Sequence, residues 1–426
     1  MAVNTVTPAA RNRWLYLVLA VAAMVCIANF QYAWTLFVKP MGVAHGWKAG
    51  DIQAAYFFFV LSQTWSVPFN GWFADRFGPK PMVALAGVLV AVGWVIDAHA
   101  ATIGTLITGE VINGIGAGLV YGTMVGIAVK WFPDRRGLAV GCTAAGFGAG
   151  TALTIYPIAN AIKTGGYEST FQNFGIIQGA IIFVIAFFLA FPKAYEVTVV
   201  PVDNSSATRM RKNSYTPGQM LGSGSFWLLY VMMTMIATGL LFVTASVAPI
   251  AGDYGPAVLA ILSLTLFVDN LANGGSRILF GYISDRLGRE TTMAIAFTFQ
   301  ALGLLGLIFA AGNPTLFLIC AAATFLASGE IYSLFPASCT DLFGPKYATT
   351  NSGLLYTAKG TAALVVPIAA YIHSSTGSWS GILAVLVAFN VIVAALALAV
   401  LKPMRERAVA AEAASSGIIG RTAGAH

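Results

Sequence analysis

GWFADRFGPK at residues 71–80 returns as GYISDRLGRE at residues 281–290. The copies stand roughly 210 positions apart, the spacing of a duplicated half-protein and not of a short solenoid repeat. Each follows a long apolar run, so each sits where a helix leaves an apolar phase. Gly71, Gly78, Gly281 and Gly288 permit close approach of backbone, while Asp75, Arg76, Asp285 and Arg286 can cap helix ends and pair across an interface. A lone copy would read as a loop of solvated charge. Two copies at matching places read as one device per half, and KWFPDRRG (130–137) is echoed by DLFGPKYA (341–348) at nearly the same offset.

Composition sets the solvent. The chain has 426 residues, 58% hydrophobic and 9% charged, whereas soluble domains carry about 25% charged residues. Since about 20 apolar residues cross a bilayer as a helix, breaks at charged and Gly/Pro-rich points predict twelve spans, near 14–36, 51–74, 81–98, 104–128, 137–160, 171–191, 225–250, 257–283, 291–311, 315–337, 352–373 and 378–401. The expected fold class is an all-α membrane protein, with twelve transmembrane helices in two pseudo-symmetric six-helix bundles. The domain division follows: an N-terminal bundle over 1–191, a polar cytoplasmic linker over 192–224 containing PVDNSSATRMRKNSYTPG, a C-terminal bundle over 225–401, and a cytoplasmic tail over 402–426.

The net charge of +7 raises the question of a nucleic-acid partner, and its distribution answers against one. With the amino terminus inside, the inner segments hold Arg11, Arg13, Arg76, Lys80, Lys130, Arg135, Arg136, Lys193, Arg209, Arg211, Lys212, Arg286, Arg289, Lys346, Lys402, Arg405, Arg407 and Arg421, and the outer loops only Lys39, Lys48 and Lys163. That asymmetry is the positive-inside pattern, so both termini are expected in the cytoplasm and the lipid bilayer is the expected partner. Cys26, Cys142, Cys320 and Cys339 have no paired spacing and suggest neither disulfide nor metal. No histidine accompanies a nucleophile and no phosphate loop with a following Lys-Ser/Thr occurs, so neither an enzyme, a cofactor protein nor an ATP-driven pump is expected. The glycine runs at 114–118 and 146–150 lack a βαβ context and are read as helix-packing positions.

Function is indicated by two misplaced cations. Arg277 lies within LSLTLFVDNLANGGSRILFGYI (262–283) and Lys359 within GLLYTAKGTAALVVPIAAYI (353–372). An ionised side chain at bilayer depth costs about 2.5–3.5 kcal/mol even on insertion scales, and so marks a protein-lined cavity on a substrate or ion path. By helix rise, each lies about 12 Å from the cytoplasmic end of its span, which sets the two level with one another. A guanidinium fork and an ammonium point charge together suit a small carboxylate. Asp269 and Glu330 are intramembrane acids that could neutralise these cations for folding, or carry a proton or balance charge. Tyr121 and Tyr332 are repeat equivalents that can supply a dry aromatic wall with hydroxyl donors. Gln31, Tyr32, Gln53 and Tyr356 are cavity candidates of the same kind, and Phe147 is read as wall.

The repeated GxxxDRxG element resembles the signature of the major facilitator superfamily, over the whole transmembrane chain. NRWLYLVLAV (12–21), QYAWTLF (31–37), GLVYG (118–122), KWFPDRRGLAVGCTAAGFGAG (130–150), NGGSRILFGYISDRLGR (273–289), YSLFPASCTDLFG (332–344) and YTAKGTA (356–362) resemble, more narrowly, the oxalate:formate antiporter family. The resemblance implies that Arg277 and Lys359 bind the dicarboxylate, that Gln31, Tyr32, Gln53, Tyr121 and Tyr332 line its cavity, and that external oxalate is exchanged one for one for internal formate. Ser328 and Tyr356 replace tryptophans of that family, Phe147 replaces a tyrosine, and Asp269 and Glu330 are additional acids. The sequence-level expectation is a monomeric carrier of small carboxylate anions in a bacterial inner membrane. A proton-coupled symporter of lactate- or pyruvate-type monocarboxylates is the first alternative, and a non-transporting anion sensor the second.

Overall fold

The computed structural model describes residues 11–132, 136–193, 214–344 and 346–423, and these form helices and connecting loops with no strand. The first span joins α1 (Arg13–Tyr32) to α2 (Thr35–His45); α3 (Ala49–Phe77), α4 (Pro79–Ala98) and α5 (Ile103–Trp131) are continuous. α6 (Arg136–Ala149) passes through a 3-10 turn, Gly150–Leu153, into α7 (Ile155–Phe188), which kinks at Gly166 and so supplies the end of the fifth span and all of the sixth. After the short α8 (Pro217–Leu221) come α9 (Gly224–Asp253), the short α10 (Pro256–Ala260), α11 (Leu262–Leu287) and α12 (Arg289–Ile308). α13 (Pro314–Leu326) with α14 (Ile331–Phe343), and α15 (Ala348–Ala362) with α16 (Val365–Thr376), make the tenth and eleventh spans. The twelfth is α17 (Ser380–Leu396), continuing through a π-helical turn into α18 (Lys402–Ala423).

All twelve expected spans therefore fall on helix. Among the described residues nine helical stretches are long and apolar enough to cross a membrane, one of them being the doubled Leu138–Phe188. The exceptions are α3 and α11, the two helices that carry the repeated motif. Gln53, Gln63 and Thr64 dilute the first, and Asp269, Asn270, Asn273 and Arg277 the second; all seven are buried. Polar side chains buried in two equivalent helices point them at a common interior, because lipid would leave their hydrogen bonds unmade.

The bundles meet along two seams, α3 against α15 and α16, and α6 against α11. Small residues set the approach. Across the second seam a methyl at Gly274 would strike Ala149, and within the first bundle one at Gly114 or Gly118 would strike the α3 backbone at Phe59 or Gln63, so the glycine runs serve close packing as expected. Gly78 and Gly288, with φ of 83° and 90°, end α3 and α11 and open α4 and α12. These are the second glycines of the two motif copies, and the turn each makes is closed to residues with a Cβ. The surroundings of Gly71, Asp75 and Asp285 lie outside the described residues. Arg286 lies over the Tyr282 ring at 4.2 Å, and Gly281 faces open space. On the same face Arg289 lies 3.6 Å from Asp341, and Arg405 grips the buried Glu290 with two bonds of 2.5 and 3.2 Å.

Candidate functional site

Four spans are interrupted at mid-depth: the first at Ala33–Trp34, the fifth at the 3-10 turn, the tenth at 327–330 and the eleventh at Ala363–Leu364. Broken helix is tolerated at membrane depth only where it is enclosed by protein or lines a cavity. Tyr32 closes α1, Phe147 lies just before the 3-10 turn, Tyr332 opens α14 and Lys359 lies in the last turn of α15. The breaks and the sequence-predicted residues coincide.

Arg277 is 3% exposed and Lys359 fully buried. The Arg277 guanidinium donates from Nη1 to the Ala144 carbonyl at 2.6 Å, and from Nη2 to Asn273 Oδ1 at 3.1 Å and the Tyr32 hydroxyl at 3.3 Å. Tyr32 in turn donates to Asn273 Oδ1 at 3.2 Å. Lys359 Nζ donates to Gln31 Oε1 at 2.7 Å, Gln63 Oε1 at 3.0 Å and the Tyr356 hydroxyl at 3.4 Å. Every acceptor is a neutral oxygen. Among the described residues neither cation has an acid within ion-pair distance.

The Tyr332 ring joins the two centres, with Arg277 Cζ 4.7 Å and Lys359 Nζ 5.5 Å from its centroid. The cations are thus no more than about 10 Å apart, where like charges at an effective dielectric near 20 repel by roughly 1.7 kcal/mol. Tyr121 from one bundle stacks on Tyr356 from the other, centroids 5.4 Å apart and planes 14° off parallel. Phe147 packs edge-on against Tyr32 and Tyr121 and lies 5.4 Å from Lys359 Nζ. The result is a closed aromatic cage holding two cations, both carried by the C-terminal bundle on α11 and α15 and walled in part by α1, α3, α5 and α6 of the other. Gln31 and Tyr32 are sequence neighbours that serve different cations, since successive residues on a helix diverge by about 100°.

Tyr121, Tyr332, Tyr356, Gln31, Tyr32, Arg277 and Lys359 come together in the cage. Gln53 does not: it accepts from Trp34 Nε1 at 2.9 Å and donates to the Ala245 carbonyl of the other bundle at 2.8 Å. It ties the halves together on the face opposite the repeated motifs. Thr35, accepting from the Ala248 amide at 2.9 Å, and Tyr371, hydrogen-bonded to Asp51, do the same. Asp269 and Glu330 are fully buried, and neither carboxyl has a hydrogen-bond partner.

Gln63 and Asn273, which orient the two cations, were missed by sequence reasoning. Asn273 had a usable signal, lying one turn before Arg277 on the same helix face; Gln63 had none beyond being polar in a span. Also unforeseen is a buried carboxyl pair between α4 and α5, Asp97 and Glu110, bridged by Asn113 Nδ2 at 2.7 and 3.4 Å. It is packed against Gly93 and Gly109, where no Cβ would fit.

A family model described as the Major Facilitator Superfamily matches residues 19–268 and 231–422. The oxalate:formate antiporter of Oxalobacter formigenes is 34% identical over 357 residues, 83% of either chain. Human monocarboxylate transporter 11 is 24% identical over 331 residues, 74% of this chain and 67% of its own. The crystal structure of a D-xylose-proton symporter superposes with a TM-score of 0.73 over 91% of this chain and 98% of that one at 14% identity, a likeness of fold alone.

Proposed function

We propose that this chain, which belongs to the Major Facilitator Superfamily and within it to the oxalate:formate antiporter family, exchanges oxalate for formate by alternating access of its two six-helix bundles. The observation that carries this reading is the pair of buried cations, Arg277 and Lys359, held only by neutral oxygens inside an aromatic cage. Neutral acceptors are weaker partners for a cation than carboxylates, because a carboxylate adds the attraction between two full charges. A small carboxylate that displaces Gln31 and Gln63 from Lys359 and engages Arg277 replaces their mutual repulsion with attraction. Occlusion of that neutralised complex is favoured over occlusion of the bare cations, and this coupling enforces exchange.

The same reading sets the topology. The tract of Arg and Lys residues on the motif-bearing face makes that face cytoplasmic, with both termini inside and the opposite face outside a bacterial inner membrane. The working unit is one chain, its bundles at 1–191 and 225–401 joined by the 192–224 linker. In reconstituted vesicles, Arg277→Ala and Lys359→Ala each abolish oxalate counterflow while the protein inserts and melts as wild type; normal counterflow in either variant refutes the mechanism.

A second reading is favoured by one observation, the two partnerless carboxyls of Asp269 and Glu330. In it the carrier is a proton-coupled monocarboxylate symporter in which one of them moves the proton. Uptake of labelled lactate into vesicles containing no internal anion, driven by a pH gradient and lost in Asp269→Asn or Glu330→Gln, supports that reading. Strict dependence on internal anion excludes it.

A further inference from the structure

Between the bundles, on the face opposite the repeated motifs, lies a cavity of ≈ 830 Å³. Its walls come from α2, α3 and the start of α7 on one side, and from α9, α11 and α16 on the other. Only three lysines were expected on this face, and two of them, Lys39 and Lys163, line this cavity. Neither has an acid within ion-pair distance among the described residues. The cavity's one acid, Asp253, is already engaged: Trp379 Nε1 donates to its Oδ2 at 2.8 Å, and His373 Nε2 lies 3.1 Å from the same oxygen. The uncompensated charge is positive.

The floor of the cavity and the cage are joined along one face of α3. Gln53 lines the cavity, and along α3 the positions 53, 56, 60 and 63 share a helix face. Tyr56 is fully buried with its hydroxyl unpartnered, and Gln63, about 15 Å from Gln53 by helix rise, holds Lys359. Gln53, bonded to Trp34 and to the Ala245 carbonyl of the other bundle, stands between the cavity and the cage.

We propose that this cavity is a second, low-affinity site for small carboxylate anions, in which Lys39 and Lys163 gather the external anion above Gln53 before the bundles open to the cage. The inference rests on the reading that this face is external and the cargo anionic. A low-dielectric cleft lined by one sign of charge focuses its field and raises the local concentration of the opposite ion. The gain is larger for a dianion than for a monoanion, so the external face discriminates oxalate from formate before the cage does.

Right-side-out vesicles test this with the Lys39→Glu/Lys163→Glu double variant. At low ionic strength the external half-saturation for oxalate rises about tenfold and that for formate about threefold. The internal half-saturation is unchanged, the external difference shrinks as salt shortens the Debye length below about 8 Å, and Lys48→Glu, whose side chain is not part of the lining, gives a smaller shift than either single charge reversal at Lys39 or Lys163. Equal shifts on both faces, or none at low salt, overturn the proposal. If the wild-type protein carries no carboxylate, the transport reading fails by itself, and the cavity is then judged by iodide quenching of Trp47, taken as the difference from Trp47→Phe. The charge-reversed variant loses at least about half of that quenching while acrylamide quenching is unchanged; equal iodide quenching in both proteins refutes an anion-gathering cavity.

Discussion

Gly148→Ala perturbs the Arg277 centre without touching its charge. A methyl built at Gly148 lies 2.8 Å from Asn273 Oδ1 and 3.1 Å from Arg277 Cζ and Nε, where ordinary contact begins at 3.4 Å. Asn273 Oδ1 must retreat by about 0.6 Å. That stretches its bonds from Arg277 at 3.1 Å and from Tyr32 at 3.2 Å past about 3.5 Å, the limit of a useful hydrogen bond. The guanidinium cannot follow freely, because Nη1 is fixed on the Ala144 carbonyl at 2.6 Å. Losing a hydrogen bond to a charged group costs about 1.5–3 kcal/mol, a loss of roughly 10- to 150-fold in oxalate affinity. The change should at the same time favour the helix by about 0.5–1 kcal/mol, since alanine replaces glycine within it. Oxalate binding to purified protein by calorimetry, beside thermal melting, separates the two: affinity falls at least about tenfold while the protein still melts in one cooperative transition, lowered only by the part of the lost bonds that the helix gain does not offset. Affinity within about threefold of wild type would refute the view that the neutral-oxygen shell positions Arg277 for the anion.

Two further outcomes follow from the contacts. Gln53→Leu removes the inter-bundle bond to Ala245, worth about 1 kcal/mol, so the outward-open population rises about fivefold; modification of a Tyr56→Cys reporter by a membrane-impermeant maleimide from outside measures it. Arg405→Ala leaves Glu290 buried without its partner, which costs about 3–5 kcal/mol and lowers the melting temperature, whereas the Glu290→Gln/Arg405→Met pair restores most of it.

The fold was legible because bilayer thickness converts apolar length into span count, and because the repeated GxxxDRxG element fixes where each half turns. The helix breaks were not, since interruption at Ala33–Trp34 or at 327–330 depends on which neighbours enclose the freed backbone. Arg277 and Lys359 were legible because charge within an apolar run has few structural uses. Gln53 shows the limit of that logic: a polar residue near a span's outer end can bond across the bundles as easily as enter the cavity, and its trans-bundle acceptor, the Ala245 carbonyl, leaves no mark in a sequence. Asp97 and Glu110 escaped notice because they lie on consecutive spans near a loop, where a lone carboxylate is ordinarily hydrated.

The central claim is that two buried cations, one fork and one point charge, jointly hold a carboxylate. Equilibrium binding of labelled oxalate to the purified protein, compared with Arg277→Gln and Lys359→Gln, tests it most directly. The account predicts one oxalate per wild-type chain and binding weakened at least about a hundredfold in each variant, with melting temperature retained. Oxalate binding in either variant within about threefold of wild type would contradict it.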